Sequence, residues 1–449
     1  MAKWITAITL FFLINNSFGQ NSASPHSDKV FISLDQYTDF ALQSNPAIQQ
    51  AMLNEKVEQQ NVNSAISPLL PTANAMANLN DNLLLPTTLV PGELRGGAPG
   101  TFIPLKFGAQ YNFNPSGNVN LNLINAANYQ NLFIAKKNQK LAGANTQLSI
   151  EQARTSLAQA YYLYLLYQSN YDFAQQNLLN ADSLLTITQV RFDNQFIDEL
   201  DLNRSKSSDL QAQNVMEQNK IQLQKSLNNL KLLAGLSTSD KVQIVDKLEI
   251  KDPTVSDLLT TNPLSRPELQ VSMLKLSVNQ MAITREKLRF APELSVFANY
   301  GVNGQNNNFR FSDASQQWYQ NGTIGLSLNI PVFAGGIKYF NLQKAKLNMQ
   351  IATIDMQNNR LKTEKEDQDL VLDYSKAKSD LKVRQKQLFL SERGYKLALI
   401  KYKNEAISYD NVINVQNELL NAQQLLIQAQ ADYITAQFKI KIINSYDKR

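Results

Sequence analysis

Residues 265–300 read SRPELQVSMLKLSVNQMAITREKLRFAPELSVFANY, and residues 44–79 read SNPAIQQAMLNEKVEQQNVNSAISPLLPTANAMANL. A shift of 221 positions carries Pro46 onto Pro267 and Pro71 onto Pro292. The same shift sets Ser44, Gln49, Met52, Leu53, Val57, Gln59, Ala77 and Asn78 on identical residues. In each copy a proline opens a helix-like run, and a second proline closes it ahead of alternating sequence. Half a chain is too long for a solenoid unit. The pattern implies tandem duplication of one helix-strand-strand-helix module.

The second copy has the clearer strands. Leu294, Val296, Ala298, Tyr300 and Val302 alternate with Ser295, Phe297, Asn299 and Gly301. Ile324, Leu326, Leu328 and Ile330 alternate with Gly325, Ser327 and Asn329. The first copy answers with Asn118-Val119-Asn120-Leu121-Asn122-Leu123. Strands are predicted near 71–81, 117–125, 292–303 and 322–332. Apolar-out, polar-in strands of about ten residues mark a membrane barrel, although a soluble antiparallel sheet carries the same local pattern. Val119, Leu121, Leu294, Val296, Ile324, Leu326 and Leu328 are expected to face lipid, and the intervening Asn and Ser residues the lumen. Residues 82–108, rich in Pro and Gly, are predicted to be an irregular loop.

Helical sequence fills most of the rest. Leu34 to about Ser67 reads as helix behind a Ser33 cap. Pro46 predicts either a kink or a short helix ending near Ser44 with a proline-led one after it. Asn128 to Arg191 contains no proline. At ~1.5 Å per residue such a helix is on the order of 100 Å long, which calls for coiled-coil packing. Val412, Val415, Leu419, Ala422, Leu426, Ala429, Tyr433, Ala436, Ile440 and Ile443 form an unbroken heptad seam. The counterpart from Ile197 to Leu236 is less regular. Gly235 is the expected residue just past that helix. Val242, Ile244, Val245, Leu248 and Ile250 make the linker 237–262 apolar enough for small packed structure.

The fold class is therefore mainly α with membrane β. The expected organisation is a signal peptide at 1–19, a first module at 20–236, the linker 237–262 and a second module at 263–449. Two strand pairs are too few to close a barrel. Several protomers must share one barrel and one helix bundle, in a ring of cyclic symmetry.

Composition sets further bounds. Lys3, the apolar run Trp4 to Ile14 and Ser17-Phe18-Gly19 before Gln20 read as a secretory signal. The apolar run is too short for a spanning anchor. The chain has no Cys, so an exported product gains nothing from disulfides. The net charge is +5 over 449 residues, with mixed-sign runs such as Lys362 to Asp367, which argues against a nucleic-acid surface. These runs, with Glu364 and Glu366 among them, read as solvated helix faces. His26 is the single histidine. Without Cys or a His cluster, no zinc site or nucleophile can be assembled, and neither cofactor nor catalytic residue is expected. Function must come from shape: a water-filled lumen, a tip for a partner and a constriction that opens.

The motifs resemble those of the TolC-like outer membrane efflux proteins. Arg266-Pro267-Glu268-Leu269 resembles that family's helix entry, and Pro292-Glu293-Leu294 its proline-led strand. Leu328-Asn329-Ile330-Pro331-Val332-Phe333-Ala334-Gly335-Gly336 matches its strand-to-helix turn. Residues 402–413 are similar to its periplasmic hairpin tip, and residues 191–201 to the first-copy equivalent. The resemblance implies a homotrimer with four strands per protomer in a twelve-stranded barrel in outer membrane lipid, above a long periplasmic α-barrel. It further implies an efflux or type I secretion conduit that meets an inner-membrane pump through a periplasmic adaptor. A soluble periplasmic coiled-coil adaptor or scaffold is the alternative, but it has no use for the strands.

By this resemblance the docking tips comprise Arg191, Phe192, Asn194 and Gln195, with Tyr402, Lys403, Glu405 and Ser408 in the second copy. Asp201, Arg204, Asp410, Asn411 and Asn414 fall in the zone of the periplasmic gate. Asp201 and Arg204 also have the spacing of an intrahelical ion pair. The chain departs from the family in three places. Asn125-Ala126-Ala127-Asn128 stands where the second copy has Phe333-Ala334-Gly335-Gly336. Gln195 and Glu405 replace the tip glycine. Asn411 and Asn414 occupy sites that are often acidic.

Overall fold

The computed structural model describes residues 29–31, 33–246, 248, 265–313 and 315–446. The expected signal peptide, His26 and residues 249–262 of the linker lie outside them.

Pro46 divides the first helix in two. α1 (Leu34–Ser44) stops before it and α2 (Pro46–Ile66) starts on it. Between them Asn45 is extended (φ −62°, ψ 122°), the conformation a following proline imposes. Its Oδ1 accepts from the N–H groups of Ala47 at 2.9 Å and Ile48 at 3.4 Å, which caps α2. Of the two expected outcomes, the second is found.

The remaining helices are α3 (Ala126–Asp193), α4 (Glu199–Leu233), α5 (Pro267–Leu288), α6 (Ile337–Lys403) and α7 (Tyr409–Tyr446). The chain forms two compact units. One comprises residues up to Ala41 with Ala160–Glu249, and the other Leu42–Gln159 with Ile250 onward.

The first unit has an aromatic core. β1 (Lys29–Phe31) pairs in parallel with β6 (Val242–Ile244), so the linker does form packed structure. Tyr37 of α1 stacks on Tyr161 of α3 at 5.6 Å and donates its O–H to the Leu230 carbonyl at 2.9 Å. Tyr161 donates to Asp246 at 3.2 Å. Burial, joined at Tyr161 by the Asp246 charge, pushes both phenols above the usual tyrosine range. α4 ends as expected on Gly235, which is left-handed at φ 67°.

The second unit holds a four-stranded antiparallel sheet with α2, α5, α6, α7 and the N-terminal half of α3. β2 (Thr72–Asp81), β5 (Tyr111–Ile124), β7 (Glu293–Asn306) and β8 (Trp318–Asn329) lie in the order β2-β5-β7-β8. β5 begins at Tyr111 rather than near residue 117, and it takes Pro115 into the strand. β8 stops at Asn329, ahead of Pro331, which has no N–H to give a ladder.

The stretch 82–108 corrects an expectation. It contains an antiparallel hairpin of β3 (Thr87–Pro91) and β4 (Phe102–Lys106), with Val90 opposite Ile103. Thr, Val, Phe and Ile favour strands, and the flanking Pro and Gly residues masked that signal.

α6 has 67 residues, on the order of 100 Å of helix. α7 returns along it. Nine of the ten expected seam residues are buried, and Val415 is half-buried. Tyr374 and Tyr433 meet within this seam, ring to ring at 5.5 Å. A second seam on α6 is left uncovered. Ile337, Phe340, Leu347, Ile351, Ile354 and Leu361 keep the heptad rhythm, yet each is more than half exposed.

Candidate functional site

The sheet separates two chemistries. In register, Leu121 stands opposite Val296 and Val296 opposite Leu326; Val119, Ala298 and Ile324 form the next such row. Leu294 faces Leu328 across the β7–β8 pair. The intervening rows are Asn122, Ser295 and Ser327, then Asn118, Asn299 and Thr323. Directly opposed residues share a face, so the alternation of each strand adds up to one apolar and one polar side. β2 and β8 each have a strand neighbour on one side only. Every residue of β2 is exposed, as is every residue of β8 except half-buried Gly325, so among the described residues both edges of the sheet are open.

Aromatic residues mark both ends of the apolar face. At the end away from the helices, Trp318 packs on Phe113 at 6.0 Å and on Phe311 at 6.3 Å, and Tyr111 packs on Phe309 at 5.6 Å. A Cβ on Gly304 would come within 2.8 Å of the Trp318 ring, so only glycine leaves the indole its place. At the helix end, Phe290, Phe333, Tyr339 and Phe340 are exposed. Lys338 donates to the Arg289 carbonyl at 2.6 Å, and its ammonium lies 5.9 Å from the Phe290 ring. An apolar band between two aromatic girdles is the pattern of a barrel wall in lipid. Among the described residues no helix is long and apolar enough to cross a membrane.

Each long helix ends in the same turn. Gln195 and Glu405 both take the left-handed conformation at φ 62°. In the first tip the Gln195 N–H bonds to the Phe192 carbonyl at 2.8 Å and the Phe196 N–H to the Arg191 carbonyl at 2.9 Å. In the second, Glu405 N–H bonds to Tyr402 at 3.1 Å and Ala406 N–H to Lys401 at 2.8 Å. These are Schellman closures whose central position favours glycine. The next helices are then capped. Asp198 accepts from the Asp201 N–H at 3.0 Å, and Ser408 Oγ accepts from the Asn411 N–H at 3.4 Å and Nδ2 at 3.1 Å. A left-handed non-glycine residue is strained, so Gln195→Gly and Glu405→Gly are each expected to stabilise their turn by about 1 kcal/mol. A rise in the thermal unfolding midpoint of the purified protein checks this. A fall would mean that the side chains make compensating contacts.

The gate-zone residues lie at the feet of α4 and α7. Asp201 and Arg204 form an ion pair at 3.6 Å within α4. Asp410, Asn411 and Asn414 are exposed in the first turns of α7. Tyr402 and Tyr409 pack together at 6.1 Å beneath the second tip.

The Arg266 site went unread in the sequence. The Arg266 guanidinium, buried at the head of α5, reaches Glu366 at 3.3 Å and Asp367 at 3.5 Å on α6. The run from Lys362 to Asp367 is thus more than a solvated face: one of its turns anchors α5. Burial raises the Asp367 pKa above the usual carboxylate range; Arg266 opposes this, and Glu366 and Glu268 reinforce it. Glu364 does behave as a surface group, pairing with Arg360 at 2.8 Å one turn away. At the other end of α5, buried Glu286 is held by Arg285 at 2.7 Å and Arg289 at 3.1 Å. No group of three or more metal-ligating side chains occurs among the described residues.

The model of a family described as "Outer membrane efflux protein" matches residues 38–236 and 262–441, one segment for each copy of the repeat. No curated protein matches the chain by sequence. Among solved structures, the outer membrane protein VceC of Vibrio cholerae is similar at a TM-score of 0.72 and 16% identity, covering 92% of this chain and 96% of that one. The CmeC outer membrane channel of Campylobacter jejuni reaches 0.74 and 18%, covering 92% and 85%. The MtrE outer membrane channel of Neisseria gonorrhoeae, in its open state, reaches 0.68 and 16%, covering 95% and 93%.

Proposed function

We propose a function from the premise that the chain belongs to the outer membrane efflux protein family: it is the outer membrane channel of a tripartite efflux or type I secretion system. The family is one of transport proteins rather than enzymes.

The observation that carries the reading is the four-stranded sheet, apolar on one face, polar on the other and open at both edges. Long open edges invite pairing with another chain. In a cyclic homo-oligomer β8 of one protomer pairs with β2 of the next, and three protomers give a closed barrel of about twelve strands. The uncovered heptad seam of α6 supports the same assembly, since neighbouring protomers bury it in an α-barrel. The modules 20–236 and 263–449, joined by 237–262, then each supply one strand pair and one long helical hairpin.

The tips dock the periplasmic adaptor, which couples the channel to an inner-membrane pump. Arg191, Phe192, Asn194 and Gln195 form one docking turn; Tyr402, Lys403, Glu405 and Ser408 form the other. The experiment is site-directed crosslinking in cells, with recovery of a heat-modifiable trimer from the outer membrane fraction as control. Charge reversal at Arg191 and Lys403 is expected to reduce adaptor crosslinks while leaving trimer yield unchanged. A soluble rod, or crosslinks that map to 237–262, overturns the reading.

The gate lies one or two turns above the tips, at Asp201, Arg204, Asp410, Asn411 and Asn414. Exposed pairs such as Asp201 and Arg204 are worth only roughly 0–1 kcal/mol each, but a ring of them biases a two-state aperture. With asparagine at two ring positions, block by multivalent cations is weak. Asn411→Asp with Asn414→Asp is expected to increase that block in planar-bilayer recordings. Unchanged block in a well-formed trimer places the constriction elsewhere.

A further inference from the structure

The polar face of the sheet has an unusual composition. It carries three asparagines on β2, five on β5 and two each on β7 and β8, twelve in all. They fall in rows across the strands, as in Asn74 opposite Asn118 opposite Asn299, or Asn78 opposite Asn114. The face bears a single formal charge, that of Glu293, at the end of β7 nearest the helices.

Asparagine is disfavoured in strands, so twelve on one face run against local propensity. Packing does not explain them. Asn122 donates to the Pro68 carbonyl at 3.4 Å, while the other eleven make no side-chain hydrogen bond among the described residues. A carboxamide is neutral and offers donors and acceptors in equal measure. Charged rings in a pore select by sign, and walls of one sign raise the local concentration of counter-ions. A wall of amides does neither, yet it hydrates the lumen and hydrogen-bonds whatever passes.

We infer that the strand-lined section of the conduit is an uncharged, amide-lined passage that does not discriminate between cations, anions and neutral polar solutes. The inference rests on the trimeric-channel reading and adds to it the property of the lumen wall.

The chain contains no cysteine, so a single introduced thiol reports on one site. Asn118→Cys trimers in a planar bilayer receive, from the extracellular side, either a sulfonate-bearing or a trimethylammonium-bearing thiol reagent. Each rate is normalised to that of free cysteine. The expected result is normalised rates that agree within about threefold, whereas a potential of several kT would separate them by tenfold or more. The reversal potential in a KCl gradient should then move in opposite directions after the two reagents. Because the charge is added after assembly, folding does not confound the result. A rate ratio above tenfold, or a reversal potential unmoved by either reagent, overturns the inference and leaves the channel standing. Absence of reaction at Asn118→Cys, with reaction at Val119→Cys, reverses the facing of the sheet and removes the barrel reading itself.

Discussion

Arginine at Leu326 is expected to abolish most trimer recovery, while arginine at Ser327 leaves it nearly intact. Leu326 stands opposite Val296 in the apolar row that continues to Leu121, and in the single chain it is 69% exposed. If that row meets lipid, a guanidinium near the middle of the band costs roughly 2–4 kcal/mol per protomer. In the proposed trimer the cost recurs in each protomer. Ser327 stands opposite Ser295 on the polar side, where an added charge meets water. The measurement is the fraction of heat-modifiable trimer in outer membranes, with single-channel conductance for the Ser327→Arg protein, which should change. Equal tolerance at the two positions would reject the assignment of faces.

Loss of the Arg266 side chain is the second large effect. Arg266→Ala removes the one cation that the described residues set among Glu366, Asp367 and Glu268. Breaking a buried ion pair from one side costs about 3–5 kcal/mol, and exposure of Glu366 to solvent puts the expectation at the lower end, about 3 kcal/mol. The expected observation is a lower denaturation midpoint of the detergent-solubilised protein. The sign of the pH dependence follows from the carboxyls. The folded-state pKa of Asp367 is raised, so the fold favours its protonated form. Its contribution is fullest below the unfolded pKa and is lost as pH rises through the folded one. Without Arg266 the repulsion among the three carboxylates grows, and protonation relieves it. The gap between wild type and Arg266→Ala should therefore narrow as pH falls through the carboxylate range. Asp367→Asn in the Arg266→Ala background should recover part of the loss. A gap independent of pH would mean that the guanidinium acts through packing alone.

Periodic features were legible in the residues because they repeat over short distances. Alternation in Leu294 to Val302 and in Ile324 to Leu328 placed each side chain on its face, and the register of the sheet keeps those faces together. The heptads from Val412 to Ile443 identified the buried seam of α7. Pro46 and Gly235 marked helix ends because their backbone preferences are local. The two turns were located by motif, and each closes on a left-handed residue, Gln195 or Glu405.

What the sequence left open depends on residues far apart in the chain. β1 pairs with β6 across more than two hundred residues, and nothing in Lys29-Val30-Phe31 names its partner. The hairpin of β3 and β4 lay hidden among prolines and glycines whose turn signals dominate a local reading. The alternation begins only at Asn118, yet pairing on both sides carries β5 back to Tyr111. Arg266 read as the start of a helix, and Glu366 and Asp367 as part of a hydrated charge run. Only the packing of α5 on α6 brings them within 3.5 Å. By itself the sequence determined periodicity, repeat and facing, which follow from the backbone geometry of neighbouring residues. Tertiary structure decided strand partners and the buried ion cluster, because those energies exist only once distant segments share a desolvated site.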